Sequence, residues 1–436
     1  MKKLTKILIC LILCVFGVGM FGCKDKRTPE EKAFTYPIGA SHQVSGNGGL
    51  AVKKGNYIYF VNGFKKAENS DRSSNTLGAL MLAKLNEYGE LVVDENGQIK
   101  NENYITMSDR LAGFEATDVA VFGNYLYFTT VCQEDDAETE EQAKSLVDFN
   151  RIKLDKTSEL EKIYESESKN STIQFKWYQA GNEVKLVVFE KDENKLVEIN
   201  TSGDVVKTVE NVKNVNLADN YSEVFYVCSN EDAEDPIKFK TFKLGSASAF
   251  LTHTATTAPE VKFVEGGYVY VLENNALTKY RTADAGGMLQ VLDDWTSYKA
   301  VSVAPNGDVL IAVSEEGTGR IIEIYNNGVV GNYYIEESAT DVQIIGFGTG
   351  TVIYRDNEKN VKSLNYLNAN AEPVLIANLA DMSTDYFDID GSYLYFYQTI
   401  GSSEYLHRIV IDNGAQDAEM VGVYLEADIP ETDEND

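Results

Sequence analysis

The residues able to do chemistry are few and scattered. The three histidines, His42, His253 and His407, stand far apart, and none has a partner at metal-ligand spacing. No HExxH, CxxC, Walker-type loop or GxSxG elbow occurs. Gly346-Phe347-Gly348-Thr349-Gly350 is rich in glycine but lacks the strand–helix setting that a phosphate loop needs. Ser166-Glu167-Ser168-Lys169 has S-x-x-K spacing in what reads as a loop. Asp388-Ile389-Asp390-Gly391 is like a fragment of a calcium loop, but the downstream oxygen ligands are missing and turn chemistry explains it. No metal and no cofactor is expected. Carboxylate pairs for glycoside cleavage can assemble from distant segments, and 68 acids give no basis for choosing two.

Acids are the abundant chemistry. Against 39 Lys and Arg they leave a formal charge of −29, which disfavours nucleic acid as a partner. Two runs stand out. One holds Glu134, Asp135, Asp136, Glu138, Glu140 and Glu141, and the other Glu231, Asp232, Glu234 and Asp235. Such runs read either as solvated loops or as sites for a cation or basic peptide.

Lys2, Lys3 and Lys6 precede an apolar stretch at 7–21, which has signal-peptide length and is short for a membrane span. It ends in Met20-Phe21-Gly22-Cys23, which resembles the lipobox of bacterial lipoproteins. That resemblance implies cleavage before Cys23, lipid on Cys23, and an extracytoplasmic protein anchored to the bacterial cell membrane. A plain secretory signal or an uncleaved anchor are the alternatives. Residues 1–22 are then the signal, 23–36 a flexible tether, 37–425 the folded domain and 426–436 an acidic disordered tail.

The elements that must position any site are repeats. Residues 55–62 (GNYIYFVN), 123–130 (GNYLYFTT), 266–273 (GGYVYVLE) and 391–398 (GSYLYFYQ) share a turn pair followed by alternating aromatic and aliphatic residues. Gly-Asn suits a tight hairpin and the period-2 run a strand. Weaker copies lie at 182–190, 221–229, 306–314 and 350–357. A strand–turn–strand follows each copy, as in NKLVEINTSGDVVKTV (194–209), and one strand precedes it, as in APEVKFV (258–264). The unit is four short strands, A to D, recurring at about 42 residues, the signature of propeller blades. The expected fold is all-β, a single eight-bladed β-propeller with four antiparallel strands per blade, with seven blades as the alternative. The 26 Tyr and 19 Phe are expected to pack between blades. Residues 34–50 are expected to lead into strand A of the first blade or to lend a closing strand.

The repeats depart from their period in the B–C connections of the first, second and fourth copies (63–77, 133–145 and 230–236) and in a D–A stretch of the first (94–115). B–C and D–A connections leave a propeller on one face, and loops carry function. Candidate binding residues on that face are Glu134, Asp135, Asp136, Asp232, Glu234 and Asp235. Cys132 and Cys228 end strand B two blades apart, too far to bridge if sheets pack about 10 Å apart.

The Gly-x-Tyr-x-Tyr-Phe strand with the Lys-containing strand and Gly turn after it is similar to the propeller repeats of Firmicute surface lipoproteins. NKLVEINTSGDVVKTV also resembles a repeat of quinoprotein-like propellers, but the tryptophan expected near its end is absent. The resembled lipoprotein family has no known function; the reading expected from the sequence is a monomer, membrane-anchored through Cys23, that binds a protein, peptide or glycan without catalysis through the B–C/D–A loop face. An extracellular carboxylate-dependent hydrolase or lyase, and an envelope-assembly scaffold, are the other two readings.

Overall fold

Strand B forms where a Gly-Asn pair releases the chain into alternating apolar residues. Gly55, Gly123 and Gly181 adopt φ of 58°, 59° and 65°, and each two-residue turn is closed by a strand pair, Lys54 with Tyr57, Phe122 with Tyr125, and Ala180 with Glu183. These are the left-handed hairpin turns that Gly-Asn favours.

The computed structural model describes residues 25–37, 41–45, 49–65, 78–95, 99–108, 119–133, 145–169, 172–217, 223–228, 237–243, 249–255, 260–265, 268–273, 276–281, 289–292, 300–304, 308–315, 318–324, 330–336, 342–348, 350–368, 370–379, 382–390, 392–400, 403–411 and 418–422. Among these residues the strands form eight sheets, each built on four antiparallel strands taken in chain order. In chain order the sheets span 51–108, 120–165, 173–209, 212–255, 260–292, 300–336, 342–378 and 382–420. Strands A of successive sheets run beside one another, as Glu260–Glu265 does with Val212–Asn216 before it and Ala300–Val303 after it. The expected all-β repeat of four-stranded sheets is thus what the chain forms.

Strand B is covered on both faces because a neighbouring sheet lies on each side; Tyr57–Val61 is buried at every position. Trp177 of the third sheet packs on Tyr127 and Phe149 of the second at ring distances of 5.0 and 6.1 Å. Leu310 and Ile321 of the sixth sheet share a core with Val352 and Tyr354 of the seventh. Tyr395, Tyr397 and Leu406 of the eighth share one with Ile58, Phe60 and Leu82 of the first. Aromatic pairs of this kind add about 1 kcal/mol beyond the area they bury.

The first and last sheets are also stitched by backbone. Phe64–Lys65, just after strand B of the first sheet, pairs antiparallel with Glu404 and Ser403 of the eighth. It continues the edge that Glu419–Met420 occupies farther along the same strand. Leu50 donates its N–H to Asp388 Oδ2 at 3.0 Å, so the acid of the calcium-like fragment holds the lead-in to the first sheet.

A cation over a strand-B tyrosine recurs on three sheets, and on two of them it extends to strand D. Arg151 lies over Tyr125 (4.7 Å) and Arg408 over Tyr393 (4.4 Å), while Lys279 lies over Tyr268 (4.8 Å). Each arginine then reaches strand D, Arg151 to Glu161 and Arg408 to Glu419, both at 2.7 Å. Tyr on strand B, a cation on strand C and an acid on strand D thus lock three strands together.

Two expectations are corrected. Strand D of the first sheet is Tyr104–Ser108, not the residues directly after Gly89. Leu91 and Val93 make isolated bridges to Leu85 and Ile99 instead, and Leu91 and Ile99 are buried. The long excursion therefore belongs to the C–D connection, at the opposite end of the sheet from B–C. The segment before the first sheet leads into strand A at Ala51, but the strand it lends, Ser41–Ser45, pairs with strand A of the second sheet instead of closing the first on the last. Tyr36 and Pro37 sit beside Asn124 and Tyr125 of that sheet, so the chain is delivered to its inner edge.

Candidate functional site

Each sheet has two ends. The A–B and C–D turns lie at one, here the turn end, and the B–C and D–A connections at the other, the loop end.

At the loop end, carboxylates close otherwise apolar strands. Glu190 ends strand B of the third sheet fully buried. It accepts hydrogen bonds from Ser168 N (2.7 Å), Glu167 N (3.1 Å) and Tyr164 OH (3.1 Å). This pins the D–A connection from the second sheet against the B–C turn of the third. Asp356 stands at the same place on the seventh sheet. It accepts from Glu358 N, Asn360 N and Asn360 Nδ2, each at 2.9 Å, with Lys362 Nζ at 3.4 Å. Both turns contain a left-handed residue, Asn194 (φ 52°) and Lys359 (φ 68°). The carbonyl of each receives an N–H from the next D–A connection, from Val212 at 2.8 Å and Leu379 at 2.9 Å. B–C turns and D–A connections are therefore laced into one surface.

A cavity of about 150 Å³ opens on that surface, lined by Val342, Gln343, Arg355, Asp356, Asn357 and Lys359. Arg355 donates to Gln343 Oε1 at 2.7 Å and lies over Phe387 at 5.5 Å. A larger cleft of about 380 Å³ lies at the turn end, between Tyr36 and Pro37 on one side and Asn124, Tyr125, Lys153 and Asp155 on the other. Burial pushes the Tyr36 hydroxyl up to about 12.

Cys23 and the candidate binding residues Glu134, Asp135, Asp136, Asp232, Glu234 and Asp235 lie outside the described residues. The strands beside them are described. Gln133 pairs with Ser145, and Cys228 with Lys238, at the loop ends of the second and fourth sheets. Cys132 and Cys228 belong to those two sheets, with the third between them in the chain; their side chains lie outside the described set.

Ser166 of the S-x-x-K spacing is buried. Its Oγ donates to Ser168 O at 2.9 Å and accepts from Val147 N at 2.8 Å, which makes it a loop staple. Among the described residues, no three of His, Cys, Asp and Glu gather as a metal site would require. Glu190 and Asp356 escaped the sequence reading. Their signal was an acid at the end of an apolar strand, in VVFE and VIYRD.

His407 is buried against Phe396 (6.0 Å, stacked), with Nδ1 2.9 Å from Tyr405 O. Burial holds its pKa below the ordinary 6.5, against a smaller upward pull from that carbonyl. The unfolded chain then takes up a proton near pH 6.5 that the folded chain refuses. His407 is thus compatible with full stability above that pH and costs stability as pH falls below it. His407→Gln is expected to flatten the loss of thermal midpoint between pH 7 and pH 5. Parallel curves for the two proteins would place the pH dependence elsewhere.

No protein family matches the chain, and no curated protein does. Among solved structures it is similar to a eukaryotic initiation factor, at 12% identity over 90% of this chain and 91% of that one, with a TM-score of 0.51. It is also similar to the C-terminal WD40 domain of Sif2 (14% identity, 67% of this chain and 83% of that, TM-score 0.41). A prolyl endopeptidase follows, at 9% identity over 89% of this chain and 57% of that, with a TM-score of 0.43. At such identities a likeness concerns the fold alone, and of these three the first is the one in which the overall chain path is shared. With its four-stranded antiparallel sheets set side by side along their A strands, the chain has a fold of the β-propeller type.

Proposed function

We propose that this protein is a non-catalytic binding module held outside a bacterial membrane by lipid on Cys23, which takes a protein, peptide or glycan on its loop end. Its sheets close into one eight-bladed ring at 37–425, a monomer of the Firmicute surface-lipoprotein type. Residues 1–22 are removed, and 426–436 form an acidic tail. The observation that carries the binding face is the strand register. The B–C connections 63–77, 133–145 and 230–236 follow strand pairs that end at Val61–Leu80, Gln133–Ser145 and Cys228–Lys238, at one end of the first, second and fourth sheets. Backbone pairing of Phe64–Lys65 with Ser403–Glu404, and the core shared by the eighth and first sheets, support ring closure at eight rather than seven. The inner strand Ser41–Ser45 supports binding over channel-based catalysis, because it takes up space along the A strands.

The test is capture on a defined peptide and glycan array by the native chain. The comparison chain carries Asn or Gln at 134, 135, 136, 232, 234 and 235. Ligands held by the native chain and lost by the variant are expected. Identical profiles from the two would remove the acidic loops from the site.

A further inference from the structure

Residues 25–37 are bound to the turn end. Thr28 caps the one-turn helix Pro29–Ala33; its Oγ1 accepts from Glu31 N while Glu31 Oε2 accepts from Thr28 N (2.7 Å). Arg27 pairs with Asp25 at 2.8 Å, donates to Asp155 O at 3.2 Å and lies over Tyr36 at 5.9 Å. Lys26 pairs with Glu159. Lys156 pairs with Glu31 and donates to Thr106 O at 2.6 Å. Phe34 packs on Tyr36 and Tyr57 at 5.3 and 6.3 Å. Asp155, Lys156 and Glu159 form the C–D turn of the second sheet, and Tyr57 follows the A–B turn of the first. Lys156 holds a left-handed φ of 54°, a conformation that costs a non-glycine residue energy and that here carries its ammonium to two partners.

Asp25, to which Cys23 and the apolar stretch 7–21 are joined through Lys24, therefore lies at the turn end. A separate observation concerns the same end. The large hydrophobic side chains exposed among the described residues are Tyr88, Val205, Val206, Leu367, Val374 and Leu375. Tyr88, 77% exposed, and Leu367, 61% exposed, lie in C–D turns. The two Val-Val and Val-Leu pairs open strand D directly after such turns. All six sit at the turn end.

We propose that the turn end is a membrane-contacting surface, and that residues 25–37 are a clamp that fixes which way the protein faces. The partner is the headgroup region of a lipid bilayer. An exposed tyrosine and aliphatic side chains suit that depth, where one end of a ring is apolar and the other wet. The net charge of the chain makes apolar contact, not attraction to anionic lipid, the source of adhesion. The proposal rests on the anchoring part of the reading above, but it holds whether Cys23 is acylated or 7–21 stays in the membrane. It leaves the loop end pointing outward.

The test uses the full chain, produced in bacteria and reconstituted in phosphatidylcholine vesicles that contain a doxyl-labelled lipid as quencher. Dye is attached to Tyr88→Cys or, at the loop end, to Glu193→Cys, with Cys10, Cys14, Cys132 and Cys228 replaced by serine and mass spectrometry used to select protein that carries no dye on Cys23. Flotation with vesicles reads the anchor, and quenching reads the orientation. Several-fold stronger quenching at 88 than at 193 is expected. Glu31→Gln with Lys156→Met should bring the two values together while the thermal midpoint confirms folding. Equal quenching in a protein that floats overturns the clamp and spares the anchor. Failure to float overturns both. Self-association at the turn end, seen by sedimentation with no quenching at 88, would assign that surface to a second copy and also overturn the proposal.

Discussion

Gly63→Ala is expected to lower stability by roughly 3–5 kcal/mol, read as a fall in the denaturation midpoint at unchanged denaturant slope. Gly63 has a φ of 120°, and a Cβ built there would lie 1.9 Å from the carbonyl oxygen of Glu404. That oxygen belongs to backbone and cannot swing aside. Glu404 is also the residue that pairs with Phe64, so the methyl group would push apart the strands joining the first sheet to the last. Gly55→Ala supplies the comparison. Its φ is 58° and nothing lies within 4 Å of the added carbon, so the cost should be that of a left-handed alanine alone, about 1 kcal/mol. Similar losses for the two variants would mean that the join between the first and eighth sheets bears little of the stability.

The second large effect is expected at Arg408. Its side chain is 1% exposed, pairs with Glu419 at 2.7 Å, lies over Tyr393 at 4.4 Å and donates to Gly89 O at 3.2 Å. Arg408→Ala removes the stacking and leaves a buried carbonyl without this donor, a loss of about 3 kcal/mol. The value stays at the low end for a broken buried pair because Glu419 is 37% exposed and can turn to water. Arg151 makes the same three-strand contact in the second sheet, but its side chain and that of Glu161 are more open. Arg151→Ala should therefore cost about 1 kcal/mol. Urea midpoints of the two alanine variants decide the matter. If Arg151 costs as much as Arg408, burial is not what sets the strength of the device.

Strand B was legible because a Gly-containing turn and an alternating aromatic–aliphatic run are local signals, plain in 55–62, 123–130, 266–273 and 391–398 and weaker in the other four copies. Strand D of the first sheet was not. Asn86-Glu87-Tyr88-Gly89-Glu90 and Asn200-Thr201-Ser202-Gly203-Asp204 are the same turn. In both, the Asn Oδ1 accepts two backbone N–H groups at 2.9 Å. After Gly203 the chain goes straight to strand D, whereas after Gly89 it makes an extra hairpin first. A turn fixes its own geometry but not the destination of the chain beyond it. The partner of Ser41–Ser45, and Phe64–Lys65 as a strand at all, carried no signal either. The first lacks an apolar alternation and the second is two residues long, and both are strands because another segment offers them an edge. The acid runs could be placed in connections from the register, but charge alone does not specify a ligand. The clamp at 25–37 joins residues more than a hundred positions apart, beyond the reach of any local pattern.

The edge strand shared by Phe64–Lys65 and Glu419–Met420 has a consequence for assembly. A chain emerging from its N-terminus meets its partner strand for 64–65 only when nearly all of it has appeared. The first sheet must wait, with Phe64 and Lys65 unpaired and one face of its core uncovered, while the others form in turn. Such distant contacts are slow to find and leave apolar surface open in the interval. That delay keeps the chain soft until its synthesis is almost finished, and then one late event hardens it.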